Sequence, residues 1–176
     1  MRAVLISIRP EWVVRITSGK KTLEVRKNRP KLELPFKCYI YETQGRTETP
    51  WIDEDGHTIF KGRGLVIGEF LCDTILPIQV ECSSPVALGA GIEIPGTCLT
   101  DRQILEYLGN GKRGFAWHIS NLKIYDTPKS LSAFKWPCNI EADCGCCPYY
   151  NYTKMDCDGR TIKRPPQSWY YVEELK

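Results

Sequence analysis

Residues 19–26 read GKKTLEVR, a glycine and two lysines followed by an alternation of side-chain types. From Thr22 onward the period is two: Leu23 and Val25 fall on one side, and Thr22, Glu24 and Arg26 on the other, as in a β-strand with one face turned inward. Gly19 marks the end of whatever precedes it. Pro10 tolerates a first helical turn, Glu11 suits the positive end of a helix, and Trp12, Val13 and Ile16 share a face, so a short helix runs from Pro10 to the glycine. Upstream, AVLISIR (3–9) sets Val4, Ile6 and Ile8 against Leu5, Ser7 and Arg9, the pattern of a half-buried strand. The chain therefore opens strand, helix, strand.

Working outward, FKCYIYET (36–43) predicts a third strand, and PWIDEDGHTIFKG (50–62) a hairpin turning at Asp55-Gly56. GLVIGEFLCDTIL (64–76) predicts one long apolar strand with a bulge at Gly68, and residues 83–98 a long loop. Thr100 and Gln103 form a capping box for a helix whose Ile104, Leu105 and Leu108 face inward. FAWHIS (115–120), LKIYDT (122–127) and SWYYVEE (168–174) predict further strands. Many strands, two short helices and no regular strand–helix–strand rhythm point to an α+β chain built on a mixed sheet or small barrel.

The 176 residues, 42% hydrophobic, 26% charged and 11% aromatic, describe a globular chain rather than a disordered or fibrous one. The N-terminal apolar run meets Arg9 and Pro10 too early for a secretory core, and no stretch approaches the ~20 apolar residues of a membrane span, so a cytoplasmic location is expected. A net charge of +3 is too small to imply a polyanionic partner by itself. Clustering is more informative. Between Lys20 and Lys37, seven cations (Lys20, Lys21, Arg26, Lys27, Arg29, Lys31, Lys37) meet two carboxylates (Glu24, Glu33), and Arg160, Lys163 and Arg164 add a second basic group. Such a run is a solvated face or one wall of an anion site.

Glu69 stands inside the apolar run LVIGEFLC, where an unpartnered carboxylate is costly, so a cation is expected beside it. Lys21 and Arg26 are the candidates from a neighbouring strand, with Glu24 completing a network that is either a structural ion pair or part of a site.

Gly19, Lys21, Glu24 and Arg26 together match G-x-K-x-x-E-x-R, and on that motif the chain resembles the ASCH domain, a relative of the PUA RNA-binding fold. VIGEF (66–70), WHISNLKIYDTPKSLSAF (117–134) and PPQSWYYVEE (165–174) look like segments of phage-type and bacterial ASCH proteins. The resemblance spans most of residues 1–134 and the final ten or so. It implies a PUA-like small β-barrel with flanking helices, a cleft lined by the motif, and RNA or a modified nucleoside as guest. Lys21 and Arg26 suit phosphate or a polarised carbonyl oxygen. Trp51, Trp117, Trp169 and Tyr171 carry flat faces for packing or for base stacking, and Gln167 and Ser168, beside Trp169, are placed to read a base edge. Ser7 and Arg9 complete the ligand-binding candidates.

Some ASCH relatives deacylate acetylcytidine with a Lys, a Thr and a Glu. Lys21 matches that Lys, but Glu24 stands where those enzymes have Thr. A hydrolytic alternative therefore assigns Lys21, Glu24 and Glu69 as catalytic residues, a Glu activating water and Lys21 holding the oxygen, with Thr22 and Ser7 as conceivable nucleophiles. A protein-interaction module with merely solvated charges is the third reading.

Five of the nine cysteines fall in 138–157. Cys144-x-x-Cys147 has knuckle spacing, and Cys138 and Cys157 complete four thiolates for one structural zinc, with Cys146 as a possible substitute ligand. The division expected is a barrel over 1–134, a zinc-binding Cys-rich insertion over 135–164 and a closing strand over 165–176. Cys38, Cys72, Cys82 and Cys98 read as small hydrophobes. His57 falls at a turn, and His118 is an interior or cleft residue. Cognate base and oligomeric state are not legible.

Overall fold

The computed structural model describes residues 1–45, 51–52, 56, 58–59, 61–81, 84–87, 94–138, 150–151, 156–157 and 160–175. The elements are β1 (Arg2–Ile8), α1 (Pro10–Thr17), β2 (Leu23–Arg26), β3 (Phe36–Glu42), β4 (Trp51–Ile52), β5 (Thr58–Ile59), β6 (Val66–Cys72), β7 (Ile75–Glu81), β8 (Ser84–Ala87), α2 (Asp101–Leu108), β9 (Arg113–His118), β10 (Ser120–Lys129), a 3-10 turn (Leu131–Ala133), β11 (Tyr150–Asn151), β12 (Asp156–Cys157) and β13 (Trp169–Glu173).

Two sheets carry the fold, one ordered β10-β6-β3-β1-β13 and the other β2-β9-β7-β8. β1 pairs parallel with β3 and antiparallel with β13, so it is a central strand with both faces covered rather than the half-buried strand its alternation predicts. The run expected as one long strand breaks at Asp73-Thr74: β6 stays in the first sheet and β7 enters the second. The chain changes sheet again at Ile119, between β9 and β10. β8 lies inside the segment expected to be loop and pairs with β7. β4 and β5 pair as the expected hairpin.

The two changes of sheet make corners of an incomplete barrel. Among the described residues the hydrogen-bonded ladder does not close: β2 and β13 are the outer strands of their sheets, and no backbone pairing joins them. Pro165 and Pro166, which lack N–H donors, precede β13 and cannot extend a ladder there. The fold class is α+β as expected, but the closed barrel is replaced by two sheets with a seam.

Three apolar clusters follow. Val4, Ile6, Ile8, Ile40, Phe70 and Trp117 pack between the sheets with Val13 and Ile16 of α1. Ala3, Leu5, Tyr39 and Val172 fill the outer face of the five-stranded sheet under Phe134 and Ile162. Leu23, Val25, Ile78 and Ala116 meet Ile104 and Leu108 of α2 on the outer face of the other sheet. The expected capping box holds α2: Thr100 Oγ1 accepts from Gln103 N at 3.2 Å, and Gln103 Oε1 accepts from Thr100 N at 2.9 Å.

Candidate functional site

All four residues of β2 are buried, because both of its faces are covered. Leu23 and Val25 turn to α2. Glu24, opposite Trp117 of β9, therefore turns to the space between the sheets, and Arg26 with it. Gly19, at φ +76°, lets the chain leave α1, and Lys21 N donates to Arg15 O at 2.8 Å, which sets the Lys21 side chain beside β2.

Lys21, Glu24 and Arg26 retain only 2%, 7% and 6% of their exposure. Lys21 Nζ donates to Leu23 O at 2.8 Å and Thr97 O at 2.5 Å and lies 3.3 Å from Glu24 Oε2. The first two are hydrogen bonds and the third an ion pair. The ammonium also sits 5.5 Å from the Trp12 ring centroid. The other carboxylate oxygen, Glu24 Oε1, lies 2.8 Å from Arg26 Nη2, which donates to Ser7 O at 2.7 Å as well. Arg26 Nη1 reaches Ser168 Oγ at 3.3 Å. Arg26 thus spans the seam, tying β2 to β1 and to the approach of β13. Lys31 N, donating to Tyr171 Oη at 2.7 Å, ties it a second time.

Among the described residues two cations face one carboxylate, a buried surplus of one positive charge. At this network two buried donors, Arg26 Nε–H and Trp117 Nε1–H, have no hydrogen-bond partner among the described residues. Both features ask for an acceptor.

The remaining candidates divide. Trp117 is fully buried between the sheets, with its ring centroid 5.9 Å from that of Trp169. Ser168 and Trp169 are partly buried at the seam, while Gln167 is exposed. Ser7 Oγ is turned away from the network and donates to Pro166 O at 2.6 Å. Arg9 is exposed, 3.9 Å from Glu11. Thr22 is exposed.

Glu69 does not join Lys21 and Arg26. β6 lies between β3 and β10, not beside β2, and alternation puts Phe70 between the sheets and Glu69 on the outer face. Its cation is Lys37 of β3 at 3.7 Å, and Tyr125 Oη donates to Glu69 Oε2 at 2.5 Å. Burial, then this bond, pushes the Tyr125 hydroxyl well above the ordinary tyrosine range. Lys37 also contacts Glu174 at 2.9 Å, which raises its ammonium value.

His118 shares a face with Leu23, away from Trp117, and its Nδ1 pairs with Asp73 Oδ1 at 2.7 Å at the corner between the sheets. The side chains of Trp51 and Cys157, and Cys144 and Cys147 altogether, lie outside the described residues, as do Cys146 and His57. Cys138 is described, its N–H donating to Glu173 Oε1 at 3.2 Å. Among the described residues no three His, Cys, Asp or Glu side chains gather as a metal site. Sequence reasoning missed the carbonyls of Ser7 and Thr97, since any residue type supplies a carbonyl, and it missed the exposed ring of Trp136.

No family model and no curated protein sequence matches the chain. Solved structures do. The ASCH protein of Zymomonas mobilis aligns over 98% of this chain and 88% of its own at 19% identity, TM-score 0.55. A tyrosine-to-phenylalanine variant of that protein aligns over 98% and 91% at 19% identity, TM-score 0.58. A serine-to-alanine variant aligns over 98% and 89% at 18% identity, TM-score 0.55. The fold is that of the ASCH structures.

Proposed function

We propose that this chain binds RNA or a modified nucleoside at the seam between β2 and β13. The supporting observation is the buried surplus of positive charge in Lys21, Glu24 and Arg26, with Arg26 Nε–H lacking an acceptor among the described residues. A phosphate or polarised carbonyl oxygen supplies both the missing charge and the missing acceptor. Exposed Lys27, Arg29 and Lys31 follow β2 directly and extend the positive field to the surface. Likeness to the ASCH fold agrees with such a guest.

Of the groups invoked for deacylation, Lys21 and Glu24 lie 3.3 Å apart, but among the described residues Glu69 and Ser7 Oγ do not join them. Lys21 spends its donors on protein acceptors, Glu69 stands on the opposite face of its sheet, and Ser7 Oγ is bonded elsewhere. Binding is the reading that this geometry supports.

We also propose that Cys138, Cys144, Cys147 and Cys157 hold one structural zinc. The two ends of the Cys-rich segment are held together: Trp136 N donates to Arg160 O at 2.7 Å, and Lys135 bridges to Thr161. Four thiolates close the tetrahedral shell and leave no position for substrate. X-ray fluorescence of protein prepared without chelator should show zinc at one per chain; its absence overturns this assignment. A cytoplasmic setting belongs to the same proposal, and among the described residues no helix is long and apolar enough to cross a membrane.

Titration with a short labelled RNA tests the seam. Raising salt from about 50 to 200 mM should weaken binding steeply. Arg26→Lys, which keeps the charge and removes the fork, and a surface triple variant (Lys27→Ala, Arg29→Ala, Lys31→Ala) should each weaken it about tenfold or more. Salt-independent binding, or full affinity in the triple variant, overturns the reading.

A further inference from the structure

β13 offers a second feature at its outer edge. A groove of about 460 Å³ is lined by Arg2, Trp136, Pro137, Trp169, Tyr170 and Tyr171. Trp169 and Tyr171 pair with Ile6 and Val4 and so lie on the face turned to the seam, whereas Tyr170, opposite Leu5, lies on the outer face. A groove touching all three wraps around the edge of the strand. Aromatic pairs flank it on both sides: Trp136 with Tyr170, centroids 4.6 Å apart, and Trp169 with Tyr171, 5.3 Å apart.

Trp136 stays 39% exposed, a large ring left in water beside another ring. Cations accompany the rings. Arg2 lines the groove and Lys135 adjoins Trp136, while Arg160, ion-paired with Glu173, donates from Nη1 to Trp136 O at 2.9 Å and holds that ring's backbone in place. Around the edge, Tyr171 Oη accepts from Lys31 N, and Ser168, the residue before Trp169, contacts Arg26. Flat faces interleaved with cations along one track suit unpaired bases joined by phosphates. The volume lies in the range of small-molecule sites and accommodates a base with its sugar. A peptide adding a strand fits less well, since the edge amide Glu173 N already donates to Lys135 O at 2.9 Å.

We propose that this edge groove is a base-stacking subsite, so that the ligand is single-stranded RNA of at least two nucleotides, one held at Arg26 and a neighbour stacked on Trp136 and Tyr170. This rests on the seam reading above and narrows its substrate class from nucleoside to polymer.

The test compares a labelled RNA hexanucleotide, read by fluorescence anisotropy, with adenosine monophosphate, read by calorimetry. The parent protein should bind the hexanucleotide at least about tenfold more tightly than the monomer, in line with one added stacked base. Trp136→Ala should remove most of that advantage and leave monomer affinity within about twofold, and Trp136→Phe should restore it. Near-ultraviolet circular dichroism of the variants confirms that the core is intact. Equal affinity of the parent for both probes, or an unchanged hexanucleotide affinity in Trp136→Ala, overturns the subsite and leaves the seam standing. Binding of neither probe by the parent overturns both. Loss of hexanucleotide binding in Trp136→Ala, together with full affinity in the Lys27, Arg29 and Lys31 triple variant, overturns the seam and with it the nucleotide placed at Arg26, leaving only the stacked base at Trp136.

Discussion

Glu24 Oε1 lies 2.8 Å from Arg26 Nη2, two residues along the same strand, with both side chains more than nine-tenths withdrawn from water. Because Lys21 shares the same carboxylate, Glu24 is, among the described residues, the one anion holding two buried cations. Glu24→Gln keeps the shape and deletes the charge, leaving the cations uncompensated. The expected loss is about 3–5 kcal/mol of unfolding free energy, measured by urea denaturation. A loss below about 1 kcal/mol means that the cations are relieved by some other group.

Gly68 gives a second test, in the strand that carries Glu69. The β3–β6 register slips beside it: Ile40 pairs with Gly68, but Tyr41 pairs with Val66. A Cβ at Gly68 would stand 2.5 Å from Lys123 O and 3.0 Å from Ile124 Cδ1. The oxygen belongs to the backbone of the paired strand and cannot swing away. Gly68→Ala should cost about 1–3 kcal/mol in the same assay, and a neutral result would show that β10 shifts freely against β6.

At the corner between the sheets, the bond from His118, then the bond from Ser120, holds the Asp73 carboxyl below its ordinary value of 3.8. A depressed folded-state value stabilises the fold above the unfolded-state value and loses that contribution as pH falls through the folded one. Stability should therefore fall on the acid side below about pH 4, and Asp73→Asn should flatten this part of the curve. Melting temperatures across the acid range, parent against variant, provide the check. Superimposable slopes exclude Asp73 as a contributor.

Cysteine reactivity is a fourth prediction. Cys38 and Cys72 are fully buried in the core between the sheets. Burial pushes the Cys72 thiol up to about 12 and raises Cys38 as well, so neither forms appreciable thiolate near neutrality. Iodoacetamide at pH 8 should leave both unmodified in the native protein and alkylate both in guanidinium, read by peptide mass spectrometry. Rapid native labelling of either would mean that the two sheets separate readily.

Much of the frame is written locally. Alternation in GKKTLEVR puts Glu24 and Arg26 on one face of one strand, and that face is where they meet. The cap at Thr100, the helix start at Pro10 and the paired hairpin strands after Pro50 likewise depend on residues a few positions apart. The break at Asp73-Thr74 was not legible, because apolar residues resume directly after these two polar ones and only packing turns β7 into the other sheet.

Adjacency between strands was the part left to tertiary structure. The cation of Glu69 comes from β3 rather than β2, since strand order is chosen by the burial of whole sheets and not by any one charge. Arg26 finds Ser168 across 142 positions, and Lys21 finds the Thr97 carbonyl across 76. Neither separation leaves a local pattern, and a carbonyl carries no residue signature. The chain by itself determined which groups share a face; the packing of two sheets, whose ladder stops between β2 and β13, decided which faces meet and where a buried positive charge lies beside an open edge. Side-chain direction is set by local backbone geometry, whereas strand neighbours are set by the global minimum of exposed apolar surface.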